Sequence, residues 1–152
     1  MIFCVSESSL FTLTTQMTSE AMAAAMMADI AEKNDLNVLI DSAGVFAGIG
    51  DKATPEAVRA MEKRGIDLTL HRTKPLTDEL IDMADLILVM TNAHKLLIGG
   101  MAQGKAHTLL EYAGGEGDIS DPYGGDDEEY EETAQEIYDA LVDIAEKLPV
   151  EE

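Results

Sequence analysis

The sequence has a single cysteine, Cys4, and no tryptophan. One thiol permits no internal disulfide and no cysteine-rich zinc site, so the reducing cytoplasm is the expected address. Cations are scarce and begin late. Lys33 is the first basic residue, Arg59 the first arginine, and the formal net charge is -20. No basic stripe is left to neutralise a nucleic-acid backbone, which excludes that partner class. The charge favours encounter with basic proteins, although acid spread over solvated helix faces is the simpler reading. No apolar run is long enough to span a bilayer. A chain without a basic residue before Lys33 also lacks the basic region of a secretory signal, so no membrane association is expected.

What is present is an ordinary globular composition. With 152 residues, 46% hydrophobic content and 26% charged residues, one domain over 1–152 with a full core is expected. After position 36, short apolar runs alternate with helical segments, the βαβ pattern of a parallel sheet covered on both faces. A short buried strand is expected over 36–40, ended by Asp41-Ser42-Ala43-Gly44 and followed by a loop through Gly48 and Gly50. Thr54 is a fair N-cap and Pro55 suits a first helical position. Ala57, Met61 and Ile66 then make the apolar side of a helix that Arg64-Gly65 closes. Thr77 caps a second helix running to about Met83-Ala84. The run 85–90 is apolar on both faces, as buried parallel strands are. A short helix over 93–98 and a strand over 106–110 follow. A long amphipathic helix over 128–148 places Ile137, Leu141, Ile144 and Leu148 on one side. Before this, a strand is expected somewhere in 2–13 from β-branched and aromatic content, and the Ala/Met run from Met22 is helical by propensity.

Three stretches together carry a specific resemblance. Asp41-Ser42-Ala43-Gly44 resembles the strand-ending turn of low-molecular-weight protein tyrosine phosphatases, and 84–91 resembles their third strand. Asp118-Ile119-Ser120-Asp121-Pro122-Tyr123-Gly124-Gly125 resembles their general-acid loop, with an acidic C-terminal helix after it. Val45-Phe46-Ala47, Lys52-Ala53-Thr54-Pro55-Glu56-Ala57-Val58 and the missing tryptophan are similar to the protein arginine phosphatase branch. The match runs over about 22–148. It implies a flavodoxin-like α/β fold: a four-stranded parallel sheet with helices on both faces. It also implies a phosphorylated protein or peptide substrate and neither cofactor nor metal.

The chemistry implied by the resemblance needs a Cys-x5-Arg loop on the N-terminus of a helix. Backbone N–H groups and the helix dipole cradle the phosphoryl oxygens and lower the thiol pKa, so the thiolate attacks. The arginine clamps equatorial oxygens. An aspartic acid protonates the leaving group and then activates water. Asp121 matches that acid by position, while a plain turn-starting Asp-Pro dipeptide is the alternative reading. Asp118 is either a second contact to a guanidinium or a solvated loop carboxylate.

The loop itself is missing. Counting back without gaps from Asp41 places Leu13 at the nucleophile and Ser19 at the arginine. The phosphate-loop-equivalent positions thus read Leu13, Thr14, Thr15, Gln16, Met17, Thr18 and Ser19. Leucine has no nucleophilic atom and serine cannot hold a dianion. A different gap puts Ser9 on the nucleophile and Thr15 on the arginine, again without a cation. Cys4 has Leu10, not arginine, at the matching distance and reads as a small apolar residue. No glycine precedes Gly44, so the residue a tight anion-cradling turn uses is absent as well. The chain is therefore expected to be inactive. Either it is a pseudophosphatase, a non-catalytic module that would engage a basic protein, or its coding segment over 8–21 is altered. The abrupt break at Met22 favours the latter.

Other constellations are weak. His71, His94 and His107 have no metal-site spacing and read as surface or capping residues. Gly44, Gly48 and Gly50 form no dinucleotide fingerprint. The acids over 126–132 lack EF-hand spacing and simply suit a helix start. Arsenate reduction needs several cysteines and only Cys4 is present.

Overall fold

The apolar run at the middle of the chain alternates between two hydrophobic clusters. Leu86, Leu88 and Met90 join one, and Ile87 and Val89 join the other. That is the period-two signature of a strand buried on both faces. The computed structural model describes the backbone of residues 2–5, 8–14, 17–44, 50–102 and 104–148, and the side chains within 19–44, 50–100 and 104–148. Val45, Phe46, Ala47 and Gly48 lie outside the described residues. The element order is β1 (Ile2–Val5), β2 (Ser8–Thr14), α1 (Met17–Lys33), β3 (Val38–Asp41), β4 (Ala43–Gly44), α2 (Pro55–Glu62), α3 (Asp78–Met83), β5 (Ala84–Val89), α4 (Asn92–Ala102), β6 (Ala106–Thr108), α5 (Leu109–Tyr112) and α6 (Asp127–Ala145).

Six strands, not four, form the sheet among the described residues. The four expected strands are there and run parallel: β2 pairs with β3 and with β5, and β5 pairs with β6. The two additions are β4, parallel to β2, and β1, antiparallel to β2, β3 and β5. Ile2, Phe3 and Val5 supply the β-branched and aromatic content that favours a strand. With only two positions between β1 and β2, the connection is long enough for an antiparallel neighbour and far too short for a parallel crossover.

Helices cover both faces. Met22 and Met26 of α1, Met61 of α2 and Ile137 and Leu141 of α6 belong to the cluster of Leu88. Ile81 of α3 and Ile98 of α4 belong to the cluster of Ile87. The expected caps form: the Thr54 hydroxyl accepts from Ala57 N at 3.3 Å and the Thr77 hydroxyl from Leu80 N at 3.2 Å. Removing either would cost about 1 kcal/mol. Gly65 has φ +75 beyond the end of α2, where Ile66 N reaches back to Met61 O at 3.0 Å.

Several bounds differ from expectation for local reasons. The last expected strand stops at Thr108 because Thr108 and Glu111 form a capping box. Glu111 N donates to the Thr108 hydroxyl and Thr108 N to the Glu111 carboxylate, both at 3.1 Å, and Leu109 and Leu110 turn helical. α1 begins at Met17 rather than Met22. α6 begins at Asp127, capped by Asp126 through Glu129 N at 2.9 Å, and ends at Ala145, before Leu148. No helix among the described residues is long and apolar enough to cross a membrane.

Candidate active site

One row of the sheet defines the crevice. Leu13 pairs with Ala43 on one side and with Val89 on the other, and Val89 pairs with Thr108. The C-terminal ends of the parallel strands thus stand level, and β2 lies between the half leading to β3 and β4 and the half leading to β5 and β6. The helix after β2 packs on one face, whereas α3, which leads into β5, packs on the other. This strand-order reversal is where open α/β sheets bind ligands.

The expected loop positions are brought to that point. Leu13 and Thr14 are the last two residues of β2. Met17, Thr18 and Ser19 open α1, and Thr15 and Gln16 lie outside the described residues. The side chains of Leu13, Thr14, Met17 and Thr18 lie outside them too. Ser19 is 3% exposed and Glu20 1% exposed, so the first turn of α1 carries a buried acid. Ser9 pairs with Ala84 inside β2, and therefore the register with Ser9 at the nucleophile would need a catalytic loop in mid-strand. Cys4 lies within β1, opposite Leu39 and Ser9.

On the far side, the connection after β5 is tied down. Ile119 N donates to Met90 O at 2.9 Å, and the Ile119 side chain is 1% exposed. Asp118 Oδ1 accepts from Asn92 N at 2.8 Å and from Asn92 Nδ2 at 3.2 Å. The Thr91 hydroxyl accepts from His94 N at 3.2 Å. Between these anchors Asp121 is exposed, its Oδ1 accepting from Tyr123 N at 3.0 Å, while Pro122 beside it is buried. The Asp-Pro turn expected from the sequence forms and leaves Asp121 exposed to solvent. The two glycines have separate reasons. Gly124 has φ +83, and a Cβ at Gly125 would meet Pro122 O at 2.9 Å.

The histidines do not gather. The His107 ring lies 5.5 Å from the Tyr112 ring, tilted by 42°, and His71 follows Leu68 in a turn, its N donating to Leu68 O at 3.2 Å. His94 lies at the start of α4. Its pKa is lowered first by burial, against the opposing pull of Asp118 and Asp121, which places the ring beside the acid loop. The available signal was position: Thr91, Asn92 and His94 directly follow a parallel strand at the crevice. Among the described residues no group of three or more His, Cys, Asp or Glu is placed to hold a metal.

The Ser42-Ala43-Gly44 turn closes the third side. Lys74 pairs with Asp41, and Asp41 Oδ1 accepts from Ser42 N at 2.8 Å. Gly44 N donates to Lys74 O at 3.1 Å, and Leu76 N to Gly44 O at 3.0 Å. A groove of about 450 Å³ between the C-terminal turns of α1 and α6 is lined by Lys33, Tyr138 and Glu146. It lies at the opposite end of the sheet from the strand ends and does not belong to this site.

Known proteins share this framework. The family model described as low molecular weight phosphotyrosine protein phosphatase matches residues 10–152. A protein-arginine-phosphatase of Bacillus subtilis (strain 168) is 44% identical over 131 residues, spanning 84% of this chain and 87% of that protein. A protein-arginine-phosphatase of Geobacillus stearothermophilus is 36% identical over 147 residues, spanning 94% and 97%. Among solved structures, a YwlE arginine phosphatase variant with a phosphorylated active-site serine superposes with a TM-score of 0.85 at 41% identity, covering 91% of this chain and 93% of the other.

Proposed function

The chain belongs to the low molecular weight phosphotyrosine protein phosphatase family, and from that premise we propose that it is a scaffold of the arginine-phosphatase branch in which phosphoryl transfer no longer runs. The observation that carries this reading is the composition of the β2–α1 corner. In the family mechanism a thiolate attacks phosphorus there and a guanidinium holds the equatorial oxygens. Here the matching positions are Leu13 and Ser19.

Glu20 deepens the deficit. A helix start binds anions through free N–H groups and the positive end of its dipole. Glu20 in that same first turn is 1% exposed, an acidic residue where the family's anion site calls for positive charge. Asp121 retains the position of the general acid, with nothing to receive its proton. A phosphorylated protein or peptide remains the substrate class of the lineage, with phosphoarginine ahead of phosphotyrosine.

Hydrolysis of p-nitrophenyl phosphate and of a phosphoarginine peptide tests the proposal. The unmodified chain is expected to match buffer. A version carrying Leu13→Cys and Ser19→Arg is expected to exceed it by on the order of 10³-fold or more. Hydrolysis by the unmodified chain that disappears on Asp121→Asn would refute the inactive reading. A family-type loop in another reading frame across 8–21 would identify an altered coding segment as the origin.

A further inference from the structure

Asp118 stands three positions before Asp121 and is exposed, yet one of its oxygens takes two donors from a residue far away in sequence. Asn92 N reaches Asp118 Oδ1 at 2.8 Å and Asn92 Nδ2 reaches it at 3.2 Å. We infer that Asp118 is a positioning residue: it straps the 118–125 loop to the first residue of α4 and thereby fixes where Asp121 stands. The catalytic consequence rests on the phosphatase reading of Asp121, whereas the strap itself does not.

Two features support the strap over a contact to a substrate cation. First, the same oxygen serves both bonds, one of them from the free N–H at the start of α4, where negative charge is favoured. Second, the neighbouring anchor is independent and adjacent. Ile119 N bonds to Met90 O at 2.9 Å and its side chain is 1% exposed, so Asp118 and Ile119 grip the end of β5 and the start of α4 together. Between anchored Ile119 and buried Pro122, only Ser120 and Asp121 are exposed. Placement of a general acid within hydrogen-bond reach of the leaving atom is what its catalysis depends on.

The experiment has two arms. In the first, amide hydrogen exchange is measured on the otherwise unmodified chain and on its Asp118→Ala and Asp118→Asn variants. Asp118→Ala is expected to speed exchange at Asn92, Ile119 and Tyr123 by about tenfold or more, with the amides of Ile137 and Leu141 in α6 unchanged. Asp118→Asn keeps an oxygen acceptor and is expected to remain within about threefold of the parent. Undiminished protection in Asp118→Ala overturns the strap.

In the second arm, the same substitutions are placed on the Leu13→Cys, Ser19→Arg background. Phenyl phosphate, whose leaving group needs the acid, is compared with p-nitrophenyl phosphate, whose leaving group needs it less. Asp118→Ala is expected to reduce kcat on phenyl phosphate about tenfold more than on p-nitrophenyl phosphate, with KM little changed, and Asp118→Asn is expected to recover most of that gap. Equal losses on the two substrates overturn the link to Asp121. A background that hydrolyses neither substrate counts against the proposed function, and the exchange arm then decides the strap alone.

Discussion

At the C-terminal ends of β2 and β5, neighbouring parallel strands in direct register, the chain treats the next connection in opposite ways. After β5, every step is fastened: the Thr91 hydroxyl caps α4, Asn92 holds Asp118, and Met90 O holds Ile119 N. After β2, the positions that the proposed reading assigns to the nucleophile and the arginine are Leu13 and Ser19, and Glu20 in the first turn of α1 is buried. One wall of the crevice is held by a run of hydrogen bonds, whereas the other, on the proposed reading, lacks the family's nucleophile and cation. Support and chemistry are therefore separable in this fold: the strand order makes the crevice, but specific side chains at one corner make it reactive.

The largest effect expected on this contrast is at its support. Leu88 is fully buried in β5, so Leu88→Ala should cost about 2–5 kcal/mol in urea unfolding through lost transfer energy and the cavity left behind. A loss under about 1 kcal/mol would mean that β5 is not the rigid wall described. Next comes the reactive corner. On the Leu13→Cys, Ser19→Arg background, Glu20→Ser should raise kcat/KM for p-nitrophenyl phosphate about tenfold, equivalent to about 1.4 kcal/mol, by removing an acidic residue from the first turn of α1. No change would show that the acid does not oppose the substrate, and the two walls would differ by fewer features than proposed.

The smallest effect concerns Glu111, just beyond β6. Its pKa is lowered first by the Lys95 ammonium, which bonds its carboxylate at 3.0 and 3.2 Å, and then by Thr108 N. A depressed carboxyl contributes stability above its unfolded pKa, and that contribution fades as pH falls through the native value. The group is largely exposed, so solvent screening keeps the effect modest. Urea midpoints of the parent and Glu111→Gln should differ most near pH 7 and converge in acid. A gap that widened on acidification would reverse the assignment.

How much of this was legible in the sequence depends on the range of the cause. β5 was visible because a run apolar on both faces has one simple explanation, and Thr54 and Thr77 were visible because a cap acts within three residues. The Thr108-Leu109-Leu110-Glu111 box was equally local, but the apolar pair inside it resembles strand, and the capping bonds decided otherwise. One strand was expected in 2–13 and two are there; the antiparallel pairing of β1 to β2, β3 and β5 depends on partners distributed along the chain. The motifs pointed to the strand ends around β2 and β5, and Asp121 lies exposed in the loop that Asp118 and Ile119 tie to the end of β5. The tie between Asn92 and Asp118 spans 26 positions and leaves no periodic trace.

The central claim is that the β2–α1 corner no longer holds a phosphoryl group. Titrating inorganic phosphate into the unmodified chain while following the amide resonances of Ser19, Glu20 and Asn92 addresses it without any need for turnover. The account predicts no saturable shift up to about 10 mM, an affinity weaker than the roughly 4 kcal/mol that a millimolar site represents. Saturable shifts at Ser19 and Glu20, abolished by a charge at Ser19→Asp, would contradict it.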